Sequence, residues 1–461
     1  MAIILAGCAM EVKGPNLGAL YDRAAQLDDL DRHPVIVIPG ILGSRLVDPE
    51  GDQIVWGAFG GHSIDPEAPD GARLLALPMR RGAALAELRD DVRTAGVLDR
   101  AKIELLGLPI ELAAYAQILG TLGAGGFRDQ QLAEAGAVNY GSDHFTCFQF
   151  AYDWRRDNVE NAAALKRFID EKHAFIQKQY AERFGIQNAD IKFDIVAHSM
   201  GGLVTRYFLR YGDADLPDGD TPPPITWAGA EHVRQVIIVG TPNAGSALAL
   251  KQLVEGTSYS PLLPRYDAAI LGTMPSIYQL LTRPRHRALI ADSGESIDDA
   301  LSLERWKAEG WGLANPNADA VLKQLLPDIA SADERRAIAE EHLDKCLTRA
   351  RRFFAALDSP ATPPAGVRLS LYVGDAVDTP AQLEWSRKNR ELRISETTPG
   401  DGTVTRQSAL MDERRGGQWD PRVRTPIDWY RTTFLFEDHL GLTRAQAFSD
   451  NVLYSLLEEP H

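Results

Sequence analysis

The sequence predicts an α/β protein with a mostly parallel, doubly wound sheet. Apolar runs of β type alternate with amphipathic helical patterns along much of the chain, which is typical of βαβ units. The run at 34–38 is continuous and β-branched after its proline, as in a strand that is buried on both faces of a parallel sheet. The amphipathic pattern at 158–183 leads into a further apolar run at 191–196, which completes one such unit.

Breaks in this alternation divide the chain. The predicted division is an N-terminal segment at 1–32, a first part of the core at 33–246, a mostly helical cap insertion at 247–365 and a second part of the core at 366–461. Further strands are predicted at 145–150, 233–239 and 369–373.

An irregular stretch follows the first predicted strand. Residues 46–100 are mixed in composition, and we expect Trp56 to lie in a long loop there instead of in a core element. Long loops without secondary structure are often lids, so a lid is predicted at about 46–80. Pro109 suits the start of a helix, and a helical pattern covers 110–122.

Composition limits the function classes. The chain has 461 residues, of which 44% are hydrophobic and 25% are charged, so a sizeable globular core is expected. A net charge of −15 without a cluster of Lys and Arg argues against nucleic-acid binding, which depends on neutralising phosphates. It does not exclude a neutral lipid or ester. Three cysteines, Cys8, Cys147 and Cys346, give neither a disulfide framework nor a zinc pattern.

The first eight residues form a short apolar segment that ends in Leu5-Ala-Gly-Cys8. This ending resembles the lipobox at which bacterial lipoproteins are cleaved and lipidated on cysteine. The segment lacks a basic region and is short for a signal peptide, so a short disordered start is the alternative. A start codon further upstream would remove both objections. The hypothesis is a bacterial cell-envelope lipoprotein anchored at Cys8, and otherwise a cytoplasmic protein.

The segment Ala197-His-Ser-Met-Gly201 lies between a predicted strand and a predicted helix. This arrangement is typical of a nucleophile elbow, a small-x-Ser-x-Gly turn that lifts the Ser199 hydroxyl clear of the sheet. Small residues are needed because the strand and the helix approach each other closely there. The Met200 N–H would lie at a helix N-terminus, where it can stabilise an oxyanion. An ordinary N-capping serine is the alternative.

Two glycines follow the first predicted strand in Pro39-Gly-Ile-Leu-Gly-Ser44. An α/β-hydrolase places its second oxyanion donor in this position, because the turn can present backbone N–H groups. A strand-ending turn would explain the same glycines.

In α/β-hydrolases an acid and then a histidine follow the nucleophile along the chain. His439 is favoured as the base because it directly precedes the last helical pattern, at 443–457, in a loop that suits a general base. The other histidines after Ser199 precede a strand, lie in the predicted cap or end the chain: His232, His286, His342 and His461.

Three residues compete as the acid: Asp375, Asp378 and Asp401. Asp375 closes the predicted strand at 369–373, whereas Asp401 lies between two glycines that allow a tight turn around its carboxylate. A Gly-Asp-Gly sequence is also an ordinary hairpin turn. Turn chemistry favours Asp401 only slightly and leaves the choice open.

Taken together, six segments resemble the lecithin:cholesterol acyltransferase family, which includes lysosomal phospholipases and phospholipid:diacylglycerol acyltransferases. In the family's order they are 34–46, 152–155, 197–201, 240–246, 400–404 and 439–440. The resemblance implies Ser199 as nucleophile, Asp401 instead of Asp375 as orienting acid, and His439 as base. It further implies the N–H groups of Leu42 and Met200 as oxyanion donors.

The resemblance also implies an α/β-hydrolase fold with a helical cap and a lid loop, in a bacterial member of the family. The implied reaction moves a fatty acyl group from a phospholipid or similar lipid ester through Ser199 to an alcohol or water. A membrane surface is one place where such a lipid would be met. No metal or organic cofactor is implied. Candidate substrate contacts are Trp56, Tyr152 and Trp154. The alternatives are a plain lipase or esterase and a non-catalytic lipid-binding surface protein.

Two departures limit what the resemblance implies. Ala197 replaces the more usual glycine of the elbow, which the motif tolerates. The predicted lid lacks the cysteine pair of the animal sterol-acylating enzymes, so lid behaviour and substrate choice do not carry over. The acyl acceptor and the oligomeric state stay open.

Overall fold

The computed structural model describes residues 14–27, 31–50, 53–57, 63–98, 102–105, 108–111, 113–132, 144–219, 221–258, 264–414 and 420–460. The predicted lipobox at Cys8 lies outside these ranges, and so do residues 51–52 and 58–62 of the predicted lid.

A central parallel sheet organises the described part of the chain. Its strands are β1 (Val35–Ile38), β2 (Cys147–Gln149), β3 (Phe193–His198), β4 (Val233–Val239), β5 (Arg368–Gly374) and β6 (Arg431–Leu435). They lie in the order β6-β5-β4-β3-β1-β2, and every neighbouring pair is parallel. The predicted class, an α/β-hydrolase fold with a mostly parallel sheet, is confirmed.

Each face of this sheet carries its own apolar core, which explains the continuous apolar runs in the sequence. In β1, Ile36 and Ile38 pack on one face, while Val35 and Val37 pack on the other. The same alternation continues into β3 and β4. Strands with one solvated face would instead alternate apolar and polar residues.

Helices cover both faces. The helices Asn158–Phe184 and Met200–Tyr211 contribute to the core on one face, and the helices Ala113–Ala124 and Gln446–Leu457 contribute to the core on the other. The remaining helices are Leu17–Leu20, Asp22–Gln26, Pro69–Leu75, Ala247–Glu255, Ala268–Leu271, Pro275–Tyr278, Leu303–Glu309, Asp319–Leu325, Ala332–Asp358 and Arg406–Ala409. None of the helices in the described ranges is long and apolar enough to cross a membrane.

Several small sheets lie outside the central one. Their strands are Ser44–Val47, Ile54–Trp56, Arg93–Val97, Lys102–Leu105, Leu108–Glu111, Thr257–Ser258, Arg265–Tyr266, Leu289–Ala291, Val377–Ser386 and Glu391–Gly400. The strand Leu289–Ala291, within the predicted cap, pairs with Val377–Ser386, within the predicted second part of the core. The two predicted regions therefore share a sheet, and the domain division itself stays a prediction.

Two local predictions were wrong. Trp56 does not lie in a loop: it ends the strand Ile54–Trp56, which pairs with Ser44–Val47, and it is only 2% exposed. These strands are short and irregular in register, so they leave no long alternating pattern in the sequence. Ile110 does not start a helix, because Leu108–Glu111 pairs with Lys102–Leu105 and the helix begins at Ala113.

Candidate active site

Ser199 occupies the sharp turn between β3 and the helix Met200–Tyr211. Its backbone has φ +52° and ψ −127°, a conformation that strains any residue with a side chain. Two contacts, one with the end of β4 and one with the segment after it, hold it there. The Ser199 N–H donates to the Val239 carbonyl at 2.8 Å, and its carbonyl accepts from the Thr241 hydroxyl at 2.7 Å. This geometry fits a nucleophile elbow, in place of an N-cap.

The glycines after Ser199 are required by close approach. A Cβ on Gly201 would lie 2.4 Å from the Pro39 carbonyl oxygen, and one on Gly202 would lie 2.0 Å from the Thr241 hydroxyl oxygen. A Cβ on Gly40 would lie 2.7 Å from the Ser199 Cβ. The turn after β1 and the segment after β4 thus pack directly on the elbow. Larger residues at Gly40, Gly201 or Gly202 would collide with these neighbours.

The structure brings the three predicted catalytic side chains into one hydrogen-bonded chain. The Ser199 Oγ lies 3.0 Å from the His439 Nε2, and the His439 Nδ1 lies 2.8 Å from the Asp401 Oδ2. Ser199 and His439 are 7% and 8% exposed, whereas Asp401 is 1% exposed. The carboxylate is therefore shielded from water, while the hydroxyl and the imidazole keep a small exposed surface.

A long hairpin delivers Asp401 to this position. After β5 ends at Gly374, the strands Val377–Ser386 and Glu391–Gly400 lead away and return, so that Gly400 pairs with Val377. Asp401 then lies against the end of β5, where a Cβ on Gly374 would come within 2.6 Å of the Asp401 Cβ. The Asp401 Oδ1 accepts the N–H groups of Thr403 and Val404 at 2.9 and 2.7 Å, which leaves Oδ2 for the imidazole.

The rival acid is placed differently. Asp375 follows β5 directly, and its Oδ1 is buried without a hydrogen-bond partner among the described residues. The contact between the Asp401 carboxylate and the His439 imidazole favours Asp401 over Asp375, and its role as the acid stays a prediction.

His439 lies between β6 and the helix Gln446–Leu457, as predicted. Its backbone N–H donates to the Asp401 carbonyl at 2.8 Å, so Asp401 holds both its backbone and its ring. The other candidates lie elsewhere: His286 contacts the Asp412 carbonyl and His342 contacts the Thr273 carbonyl. His232 precedes β4, and His461 lies outside the described residues.

The predicted oxyanion turn has an unusual backbone at Leu42, with φ +65°. Such a value is uncommon for a residue other than glycine. The turn is closed by the Gly43 N–H, which donates to the Gly40 carbonyl at 3.1 Å. In the part of the chain that the structure describes, the N–H groups of Leu42 and Met200 donate to no protein acceptor. Both are therefore available to an added oxygen.

Three buried aromatic residues donate hydrogen bonds to backbone carbonyls of this turn. The Trp56 Nε1 donates to the Leu42 carbonyl at 2.8 Å, the Tyr152 hydroxyl to the Pro39 carbonyl at 2.9 Å, and the Trp154 Nε1 to the Ser44 carbonyl at 3.2 Å. These are the predicted substrate contacts. In the structure their polar atoms position the turn, and a direct contact with substrate stays a prediction.

The buried guanidinium of Arg155 extends this support. It donates to Asp153 and pairs with Asp90 at 2.8 Å. It also donates to the carbonyls of Leu74 and Leu75, at the end of the helix Pro69–Leu75. The last turn of that helix, within the predicted lid, is thus fixed to the core by a charged group that is itself fully paired.

Two further residues at the site, His198 and Tyr115, were not among the predicted site residues. His198 is buried beside Ser199, its Nδ1 lies 3.1 Å from the Tyr115 hydroxyl, and its Nε2 lies 3.0 Å from the His439 carbonyl. Burial, and secondly the charge of His439, lowers the pKa of His198 to about 3, so its imidazole is neutral near pH 7. The position of His198 next to the nucleophile was a usable signal, whereas nothing in the sequence marked Tyr115.

The described residues contain no group of three or more His, Cys, Asp or Glu side chains that could hold a metal ion.

Comparisons with known proteins show what the chain is similar to. Residues 130–289 match the family model described as lecithin:cholesterol acyltransferase. The chain is similar to lysosomal phospholipase A and acyltransferase of Bos taurus, with 26% identity over 269 residues that cover 56% of this chain and 51% of the relative. It is also similar to putative phospholipid:diacylglycerol acyltransferase 2 of Arabidopsis thaliana, with 26% identity over 231 residues that cover 48% of this chain and 30% of the relative.

The alignments span about half or less of these curated relatives. Among solved structures, the chain resembles a protein in the crystal structure of the Tle4-Tli4 complex, with a TM-score of 0.58 and 16% identity. That match covers 92% of this chain and 98% of the other, and it supports the fold. Together, the family match over residues 130–289 and the curated relatives show that the chain is similar to the lecithin:cholesterol acyltransferase family.

Proposed function

We propose that this protein is a serine-dependent lipid acyl hydrolase or acyltransferase, which moves a fatty acyl group from a phospholipid or similar lipid ester to water or an alcohol. The observation that carries the proposal is the chain of hydrogen bonds from Ser199 through His439 to Asp401, at 3.0 and 2.8 Å. The names of the relatives, a phospholipase A and acyltransferase and a putative phospholipid:diacylglycerol acyltransferase, support the lipid substrate class.

In the first half-reaction the Ser199 Oγ attacks the ester carbonyl while the His439 Nε2 accepts the hydroxyl proton. Asp401 accepts the Nδ1–H of the imidazole, which keeps the Nε2 lone pair directed at the hydroxyl. Because backbone N–H groups occupy the other carboxylate oxygen, Asp401 cannot rotate away without losing those bonds. His439 then gives its proton to the departing alcohol oxygen.

The tetrahedral intermediate carries a negative oxygen that needs donors. The N–H groups of Leu42 and Met200 are assigned to it, because each lies on a turn that packs against Ser199 and neither has a protein acceptor in the described ranges. One such donor typically contributes about 2.7 to 4 kcal/mol to the barrier reduction. The strained conformations at Leu42 and Ser199 suit this role, since strain at functional sites is maintained by the surrounding packing.

In the second half-reaction an alcohol or water attacks the Ser199 ester, with His439 as base. Both outcomes share one acyl-enzyme, so the acceptor that reaches it first decides between transferase and hydrolase. A plain lipase or esterase is the alternative within this mechanism. A non-catalytic lipid-binding protein is disfavoured by the complete hydrogen-bonded chain.

The test is product analysis with a phospholipid labelled in one acyl chain, with and without a long-chain alcohol. We expect labelled fatty acid in water and a labelled ester when the alcohol is present. If free fatty acid is the only product at every alcohol concentration, the protein is a hydrolase and not a transferase. Folded protein that releases no label, and that a fluorophosphonate probe does not modify, would contradict the proposal.

A further inference from the structure

A buried chain of hydrogen bonds connects the two loops on which the proposed reaction depends. It starts at the Gly40 N–H, which donates to the Tyr115 hydroxyl oxygen at 2.7 Å. That hydroxyl lies 3.1 Å from the His198 Nδ1. The His198 Nε2 lies 3.0 Å from the backbone carbonyl of His439. The chain therefore runs from the turn that carries Leu42 to the loop that carries the proposed base.

The two ends of this chain fix every proton within it. The Gly40 N–H can only donate, so the Tyr115 oxygen accepts there and its own proton must go to the His198 Nδ1. The His439 carbonyl can only accept, so the His198 Nε2 must carry the proton at the other end. The reverse tautomer would turn a lone pair of His198 toward the carbonyl and leave the Tyr115 proton without a partner. A protonated ring would likewise donate from Nδ1 and leave the Tyr115 proton without a partner.

The two linked loops have little freedom elsewhere. The His439 N–H donates to the Asp401 carbonyl, and the His439 carbonyl contacts the His198 Nε2. Both backbone polar groups of His439 are therefore held. Gly40 lies directly over Ser199, where an added Cβ would come within 3.2 Å of its Oγ. Small movements at either end would change the distance from the base or from the oxyanion donor to the reacting atoms.

We propose that Tyr115 and His198 are positioning residues, which fix the position of the oxyanion turn relative to the His439 loop on the two sides of Ser199. This inference rests on the proposed function. The hydrogen bonds of the two side chains reach the backbone of Gly40 and His439 and no reacting atom. The His198 ring also packs against the His439 ring, with 4.8 Å between the ring centroids. The pair couples two elements that are far apart in sequence, and loss of either residue should disable the same link.

The kinetic test uses Tyr115→Phe, His198→Leu, their double variant and His198→Gln. Because a displacement of about 1 Å can slow an enzyme about 100-fold, we expect each single loss to lower kcat for an ester by about 10- to 100-fold. KM should change little. The double variant should resemble the worse single variant, since both remove one link. His198→Gln should restore most of kcat, because its amide can accept from Tyr115 and donate to His439.

Two variants of similar burial serve as controls. Tyr211→Phe removes a buried hydroxyl that donates to the Ala356 carbonyl, and His342→Leu removes a buried imidazole that contacts the Thr273 carbonyl. Both can lower the thermal midpoint, but kcat of the folded fraction should stay near that of the wild type. Equal kcat losses in the controls, additive losses in the double variant, or no recovery in folded His198→Gln would each overturn the inference.

A second measurement does not depend on turnover. In ¹⁵N spectra of the histidine-labelled protein near pH 7, His198 should appear as the neutral Nε2–H tautomer, and Tyr115→Phe should shift the ring signals of His439. An Nδ1–H tautomer at His198, or unmoved His439 signals, would overturn the inference even in an active enzyme. Wild-type protein with the expected spectra but without turnover or probe labelling would instead overturn the proposed function.

Discussion

Replacing Ser199 with alanine is expected to lower kcat for a lipid ester by about 10⁶-fold, because removal of the nucleophile disables the triad as a unit. The backbone of the elbow and both oxyanion donors are retained, so KM and the thermal midpoint should change little. The measurement is steady-state turnover of a chromogenic ester and of a phospholipid.

The matched control is Ser455→Ala, which removes a buried hydroxyl that contacts Gln235 away from the triad. We expect this variant to retain kcat. Ester turnover that survives in Ser199→Ala, or that falls equally in Ser455→Ala, would contradict the assignment of the nucleophile.

Asp401→Asn is expected to lower kcat by about 10⁴-fold through the wrong imidazole tautomer. The backbone N–H groups of Thr403 and Val404 require an acceptor at Oδ1, so the amide oxygen of the variant should occupy that position. The amide nitrogen would then face the His439 Nδ1 and donate to it. The proton of the imidazole would move to Nε2, which could no longer accept a proton from Ser199.

The rival carboxylate supplies the control for this prediction. Asp375→Asn changes a neighbouring carboxylate whose Oδ1 has no hydrogen-bond partner in the described part of the chain, and we expect kcat to remain close to that of the wild type. A large loss in Asp375→Asn together with a small loss in Asp401→Asn would reverse the assignment of the acid.

The sheet and the elbow could be predicted because their signals are local. Burial of β1 and β3 on both faces leaves continuous apolar runs, and the close contacts at Gly201 and Gly202 leave small residues after Ser199. His439 was also accessible to local reasoning, since its place before the last helix suits a general base. The comparisons with relatives do not test the roles of these residues, which remain proposals.

Other parts of the site depend on long-range contacts that local patterns do not contain. Asp401 reaches His439 because two long strands pair and return the chain to the end of β5, and turn chemistry could not choose it over Asp375. Trp56 was missed as a core residue because its strand is short and its pairing is irregular. Tyr115 lies on a helix about 80 positions before His198, and only the folded chain brings them together.

In the proposed mechanism Ser199 becomes acylated and His439 activates it. The most direct measurement is peptide mapping by mass spectrometry after reaction of the folded protein with a fluorophosphonate. We expect one modified serine, Ser199, with labelling that is fast in the wild type, slow in His439→Gln and unchanged in His342→Gln. An unmodified Ser199 peptide from protein that still hydrolyses a lipid ester, or equally fast labelling in His439→Gln, would contradict this mechanism.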